Sequence, residues 1–197
     1  MSAGAVAVVL AAYALGTFPT ALRVGRRSGF DPTAAGSGNP GASNVTRIGG
    51  TRAGAMVLLG DAGKGGLAAA LGLVVGGTFL AWLAAAAAVA GHLWPVTRGF
   101  RGGKGVATAA GAALVCAPVV FVPLALVFVV LVTLSGHAAV GSIGIAGLLP
   151  VAVAVTGRPA REVGVAAAIS LVVIVRHRDN LARLRAGVRA AAGEDLG

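Results

Sequence analysis

The 197-residue chain is 57% hydrophobic and 11% charged, with a mean hydropathy of +0.90; a soluble domain carries about twice that charged fraction. The formal charge is +10, yet the basic residues are scattered over short loops, which argues against nucleic acid and for one integral-membrane domain over residues 1–197. Fourteen of the sixteen basic residues are arginine, a planar fork that suits phosphate oxygens and anchors cytoplasmic loops.

Apolar segments fall near residues 3–22, 51–75, 78–96, 106–134, 138–156 and 162–175. Segment 3–22 has no basic region ahead of it and reads as a span, not as a cleaved signal peptide. A span needs about 20 residues. The 106–134 run exceeds that and contains Pro118 and Pro123, so it forms either two helices meeting near Pro118 or one kinked helix. Loop 23–50, loop 97–105 and the tail after residue 175 carry the arginines and belong in the cytoplasm. Segments two and three then form a hairpin turning outside near Gly76-Gly77. Between residues 105 and 176 the chain must cross an even number of times. Splitting 106–134 satisfies this and gives an all-α, polytopic bundle of about seven transmembrane helices, N-terminus outside and C-terminus cytoplasmic. A five-span alternative makes 162–175 re-entrant.

The first polar segment, Gly36-Ser37-Gly38-Asn39-Pro40-Gly41-Ala42-Ser43-Asn44-Val45-Thr46-Arg47, contains G-x-G-x-x-G. No strand precedes it, so a dinucleotide fold is excluded. A glycine turn opening a helix still offers N–H donors, with Ser37 and Asn44 as side-chain donors and Arg47 as a cation fork. Asp61 and Lys64 then stand in an apolar span, where charges are costly. Their i, i+3 spacing lets them neutralise each other, as a structural pair or as part of a site. Neither GDAGKG nor the GGK at 102–104 has the spacing of a nucleotide P-loop.

The most specific stretch is GHLWPVTRGFRGGKGVAT at 91–108. Trp94 marks a membrane interface, and Arg98, Arg101 and Lys104 surround a glycine cluster that lets backbone amides approach an anion. His92 is either a satisfied interfacial histidine or support for that loop. Farther on, Arg176-His177-Arg178-Asp179-Asn180-Leu181-Ala182-Arg183 reads as a helix leaving the membrane. On such a helix His177 and Asn180 share a face, as do Arg176, Asn180 and Arg183. Cys116 and His137 read as packed within the bundle. Acidic residues, histidines and the lone cysteine are too few and dispersed for a metal cage, so no metal and no cofactor are expected.

GSGNPGASNVTR, GHLWPV…FRGGKGVAT and RHRDNLARL resemble the three motifs of the bacterial acyl-phosphate-dependent glycerol-3-phosphate acyltransferases, and Asp61–Gly65 matches that family's D-x-x-K-G. The likeness runs from about residue 16 to 187 in the same order. Two positions depart from the family pattern: Arg189 stands where Glu is usual, and Gly136-His137 where Arg-Tyr is usual. The resemblance implies a multi-pass enzyme of the bacterial inner membrane with its active site on the cytoplasmic face. It implies acyl transfer from acyl phosphate to the 1-hydroxyl of sn-glycerol-3-phosphate, giving lysophosphatidic acid for phospholipid synthesis, and a functional link to an enzyme that makes acyl phosphate. Carried over by position, Ser37, Arg47, Lys104, His177 and Asn180 are the implied catalytic set. Gly36, Gly38, Asn39, Gly41, Asn44, Arg101, Gly102, Gly103, Gly105, Arg176 and Arg183 are the implied phosphate contacts, with Asp61, Lys64 and His92 in support. Arg47 and Lys104 would hold phosphate oxygens while Ser37 and Asn180 orient substrate. The base is either His177 or a substrate phosphate. A phosphate-ester transporter and a catalytically silent homologue are the competing readings.

Overall fold

In a computed structural model, which describes residues 2–191, the regular elements among those residues are eight α-helices and one 3-10 turn. Helix α1 (Ala3–Gly16) is capped by Ser2, whose Oγ accepts from the Ala5 amide at 3.2 Å. It stops before Pro19, which has no amide to donate, and the chain resumes as α2 (Thr20–Arg27). Helix α3 (Ala42–Leu93) is broken at Gly50, Gly76 and Gly77 into legs 42–49, 51–75 and 78–93. The hairpin turn lies at Gly76-Gly77, where Gly77 takes φ +76°, a conformation that costs glycine little and other residues much. After a 3-10 turn at Val96–Arg98 come α4 (Val106–Cys116), α5 (Pro118–Ser135), α6 (Ala138–Val155), α7 (Ala160–Val175) and α8 (Arg178–Ala191).

The long 106–134 run is two helices. Ala117 sits at φ −151°, ψ 67°, because a residue before proline is driven out of the helical region. Pro123 is accommodated inside α5. The third motif departs from expectation: Arg176 and His177 form a turn between α7 and α8 instead of one continuous helix. The His177 carbonyl accepts the amides of Asn180 at 2.9 Å and Leu181 at 3.0 Å, so it opens α8 instead of presenting a shared side-chain face. His137 is likewise exposed at the α5–α6 turn, its Nδ1 2.5 Å from the Ser135 carbonyl, because that turn lies outside the packed helices. The neighbouring Gly136 takes φ +70° at the end of α5. Cys116 is buried in the main core beside Trp82, Leu93, Val153 and Ile169.

Small residues set how closely the helices approach. A Cβ on Gly65 would fall on the Thr108 carbonyl, and one on Gly111 would fall on the Ala62 carbonyl, so leg 51–75 and α4 interlock in both directions. Gly16 and Gly91 do the same between α1 and leg 78–93. At one end of the bundle Thr78 Oγ1 donates to buried Glu162 Oε1 at 2.8 Å, and Arg158 Nη2 donates to the Cys116 carbonyl at 3.2 Å. These contacts tie three turns together, and the glycine motifs lie at the opposite end.

Four helical stretches are long and apolar enough to cross a membrane: Ala3–Arg27, Ala42–Arg98, Pro118–Ser135 and Ala138–Val155. The second is doubled back at Gly76-Gly77. Helix α5 leaves Val119, Val122, Leu126, Val129 and Leu134 exposed, as a lipid-facing helix does. The all-α polytopic membrane bundle expected from composition is therefore present. By length alone α4, with 11 residues and about 16 Å, falls short of a ~30 Å hydrocarbon core.

The Gly65–Gly111 interlock generates a stability prediction. Gly111→Ala should force α4 off leg 51–75 and lower stability by about 1–3 kcal/mol, the usual cost of overpacking. A drop in Tm of the detergent-solubilised protein, against an unchanged Gly147→Ala control whose Cβ meets open space, would check it.

Candidate active site

The site is built from the chain leaving α3. Tyr13 Oη donates to the Trp94 carbonyl at 2.7 Å and accepts the Val96 amide at 3.2 Å, pinning the start of the loop to the end of α1. The loop then turns through Gly99 and Phe100, both left-handed at φ +57° and +63°. For a bulky aromatic that is a strained conformation, held here by the Phe100 amide donating to the Pro95 carbonyl at 3.0 Å. Gly102 and Gly103 lie flush against His92: a side chain on Gly102 would meet the His92 and Leu93 carbonyls, and one on Gly103 the His92 ring. The Gly103 amide donates to the His92 carbonyl at 3.2 Å, so it is not offered to a ligand.

Arg176 clamps the same loop. Its Nη2 donates to the carbonyls of Gly102 at 3.0 Å and Gly103 at 3.1 Å, and its Nε to Gly103 at 3.3 Å. Two of its three nitrogens are thereby taken up by the protein, which makes Arg176 a holder of the loop in this structure. Lys104, half-buried, donates through Nζ to Asn180 Oδ1. Burial first, and then the cations Arg183 and Arg176, push the Lys104 ammonium below the ordinary lysine range against the counter-pull of Asp179. A cation destabilised in this way gains from an arriving anion. Beside it α4 begins at Gly105 with no side-chain cap, so its first amides face the same region.

His177 is 3% exposed, with Nδ1 2.8 Å from the Val173 carbonyl. That contact suits a neutral ring with its proton on Nδ1 and its lone pair on Nε2. Burial, Lys104 and Arg176 together lower its pKa below the usual histidine value, although the Val173 contact opposes them.

Beneath the loop, Lys64 Nζ lies 2.8 Å from Asp61 Oδ1, 2.6 Å from His92 Nδ1 and 3.3 Å from the Phe18 carbonyl. Asp61 and Lys64 side chains are each 4% exposed. The i, i+3 pair is thus a buried network that gains His92 across 28 residues of sequence. His92 supports the loop that carries Lys104 directly, since Gly103 packs on its ring.

The first motif folds on itself. Asn44, 3% exposed, accepts the Ser37 amide at 2.8 Å and donates to the carbonyls of Pro32 at 3.0 Å and Ala35 at 3.1 Å. Both its donors are used, so Asn44 shapes the loop and is not a free phosphate donor as the sequence suggested. A side chain on Gly36 would collide with the Asn44 amide oxygen. The amides of Gly38 and Gly41 donate to the carbonyls of Ala35 at 3.1 Å and Asn39 at 2.9 Å. Asp31 Oδ1 accepts the Thr33 hydroxyl at 2.7 Å and amide at 2.8 Å, and these bonds hold its carboxyl below the usual range. The exposed side-chain donors left in this motif are Ser37 Oγ, Ser43 Oγ and Arg47.

The structure therefore brings together Lys104, Arg176, His177 and Asn180, with Arg183 acting on Lys104 through its charge. No hydrogen bond or ion pair among the described residues joins Ser37, Arg47 or the exposed Arg101 to that group. The side chain of Arg189 lies outside the described residues. Sequence reasoning missed the Tyr13 pin and the inward use of the glycine amides. The lone tyrosine near Trp94's end of the bundle was the available signal for the first.

A polytopic membrane bundle with cations and an uncapped helix start gathered at one end defines a membrane protein that handles phosphate esters. A family model described as glycerol-3-phosphate acyltransferase matches residues 6–187, and the chain belongs to that family. It is 40% identical over 178 residues to glycerol-3-phosphate acyltransferase from Geobacter sulfurreducens, covering 89% of this chain and 91% of that one. It is 43% identical over 187 residues to glycerol-3-phosphate acyltransferase 2 from Moorella thermoacetica, covering 94% and 96%. The crystal structure of PlsY (YgiH), an integral membrane glycerol 3-phosphate acyltransferase, in its glycerol 3-phosphate form, superposes with a TM-score of 0.90 at 34% identity over 93% of this chain and 92% of that one. The lysophosphatidic acid form gives a TM-score of 0.88.

The buried network yields a second prediction. Asp61→Asn should leave Lys64 without a counter-charge and cost about 3–5 kcal/mol, whereas Asp61→Asn combined with Lys64→Met should recover much of the loss. A double-mutant cycle on thermal unfolding in detergent reads this directly.

Proposed function

We infer that this protein transfers a fatty acyl group from acyl phosphate to the 1-hydroxyl of sn-glycerol-3-phosphate, giving lysophosphatidic acid and inorganic phosphate for phospholipid synthesis. Family membership supports the reaction, and the single structural observation that carries the mechanism is the Lys104–Asn180 pair beside the uncapped start of α4. Acyl phosphate is a mixed anhydride and already activated, so the reaction asks for positioning and anion stabilisation and for no cofactor. The hydroxyl oxygen attacks the carbonyl carbon, the bond from that carbon to the phosphate oxygen breaks, and phosphate leaves with the electron pair. Lys104 and the first amides of α4 hold the leaving phosphate. Asn180 fixes Lys104 from the far side. Ser37 and Arg47, exposed donors on the first motif, hold the glycerol phosphate.

His177 serves as a positioning residue. It is buried, and its carbonyl accepts the Asn180 amide, so it fixes the start of α8 while a substrate phosphate oxygen takes the hydroxyl proton.

The chain works as one unit over residues 1–197 and crosses the bacterial plasma membrane seven times. The legs are α1–α2, the two long legs of α3, α4, α5, α6 and α7, with α4 completing its crossing inside the bundle instead of against lipid. The N-terminus is outside, and the segments bearing Arg26, Arg47, Arg101 and Arg183 lie in the cytoplasm. An enzyme that makes acyl phosphate supplies the donor from the same side.

Purified protein given palmitoyl phosphate and labelled glycerol-3-phosphate should form lysophosphatidic acid, and Lys104→Ala should lower the rate by about 10²–10³, as removal of an oxyanion donor does. Uptake of glycerol-3-phosphate into liposomes without acyl donor would favour the transporter instead, and binding without turnover the silent homologue. His177→Gln should keep turnover within about tenfold, and a loss of about 10²–10⁴ would make the ring the general base. Its lowered pKa gives a second signature. The folded protein sheds a proton that the unfolded chain binds, so stability is full above pH ~6.5 and declines as pH falls below it. Thermal scans against pH should show that decline flattened in His177→Gln.

A further inference from the structure

A cavity of about 430 Å³ opens between the first two helices and the 3-10 turn, and neither Lys104 nor Asn180 lines it. The end of α1, the start of α2 and the 3-10 turn form it, and Arg23, Arg26 and Arg98 line it together with Ala14, Leu15 and Leu22. No acidic residue lines it among the described residues. Arg23 is held in place, its guanidinium stacked 4.5 Å above the Phe18 ring. Arg98 Nε is buried without a hydrogen-bond partner, a cost that an incoming anion would offset. Three cations over an apolar wall, at the end of the bundle where Trp94 is exposed, match one ligand shape: a phosphate on an acyl chain.

The volume is that of a small-ligand site, enough for a phosphate head and the first part of its chain. The cavity is also wired to the loop. Phe18, in its lining, offers its carbonyl to Lys64, Lys64 meets His92, and the Gly103 amide donates to the His92 carbonyl.

We propose that this cavity is a second anion site, separate from the Lys104–Asn180 pair, that seats the phosphate of an acylated amphiphile against Arg23, Arg26 and Arg98 with its chain along Leu15 and Leu22. Two sources share that chemistry: an anionic lipid of the bilayer, and an amphiphile of the reaction itself.

The full-length protein in phosphatidylcholine nanodiscs, doped with a phosphatidic acid bearing a diazirine in its acyl chain, would be irradiated and the labelled peptides mapped. Label should fall on residues 14–26 and decrease about tenfold or more in the Arg23→Gln/Arg26→Gln variant, since each arginine near a membrane surface contributes roughly 1 kcal/mol. Leu15→Trp, which fills the cavity and keeps every charge, should reduce it as well and carries the test if the double variant fails to fold. Competition by phosphatidylglycerol assigns the site to bilayer lipid, and competition by lysophosphatidic acid assigns it to the reaction's own amphiphile; either supports the site. Label elsewhere, or label on 14–26 unchanged in folded variants, overturns it. So does label lost in Lys104→Ala and kept in Arg23→Gln/Arg26→Gln, which would return the amphiphile to the catalytic loop.

Discussion

The ion pair between Asp61 and Lys64, joined by His92, is the contact on which the working end of this molecule depends. Charges in the interior of a membrane protein are costly, and a lone lysine there would draw in water or lose its proton. Asp61 neutralises it, and the remaining donors of Lys64 reach His92 and the Phe18 carbonyl. Three separate parts of the chain meet at one ammonium: the turn after α1, leg 51–75 and the end of leg 78–93. The loop that carries Lys104 rests on that meeting point, because Gly103 has no side chain to keep it off the His92 ring. The network makes a rigid floor where a run of apolar residues would have left the loop unregistered.

On that floor the glycines act differently from what an anion-binding reading of sequence suggests. The amides of Gly38, Gly41 and Gly103 turn inward, to Ala35, Asn39 and His92, and the missing side chains of Gly102 and Gly103 allow close packing. In the proposed mechanism, anion contact falls to side chains mounted on the tight loops and to a helix start without a cap. The division is sensible physically. Backbone folded onto itself is fixed before the ligand arrives, so the cations need not pay ordering entropy when it binds.

Hydropathy and glycine–proline punctuation made much of the fold legible. The hairpin at Gly76-Gly77 and the division ahead of Pro118 follow from local backbone rules that need no tertiary information. The likeness to known motifs picked out Lys104 and Asn180, and the fold places them in contact. Spacing could not show that Asn44 turns into its own loop, because its partners Pro32 and Ala35 offer only carbonyls, which every residue has. The break at Arg176-His177 was equally hidden. No glycine or proline marks it, and the Arg176 found there reaches back to Gly102 and Gly103, far off in sequence. His92 joined the Asp61–Lys64 pair only through the close helix approach that small residues permit.

The choice of arginine over lysine has a chemical consequence beyond phosphate recognition. The chain has two lysines, and Lys64 is sealed in its ion pair. In the proposed mechanism Lys104 is thus the one lysine amine set where an activated acyl donor arrives. Burial weakens its hold on the proton, and a free amine attacks a mixed anhydride readily. The Asn180 carbonyl oxygen counters this, since it accepts from the ammonium and favours the protonated, non-nucleophilic form. At the proposed site, the same contact that aims the cation would also guard the enzyme against acylating itself. Guanidinium groups, charged at every accessible pH, make the remaining cations around the site inert to their own substrate.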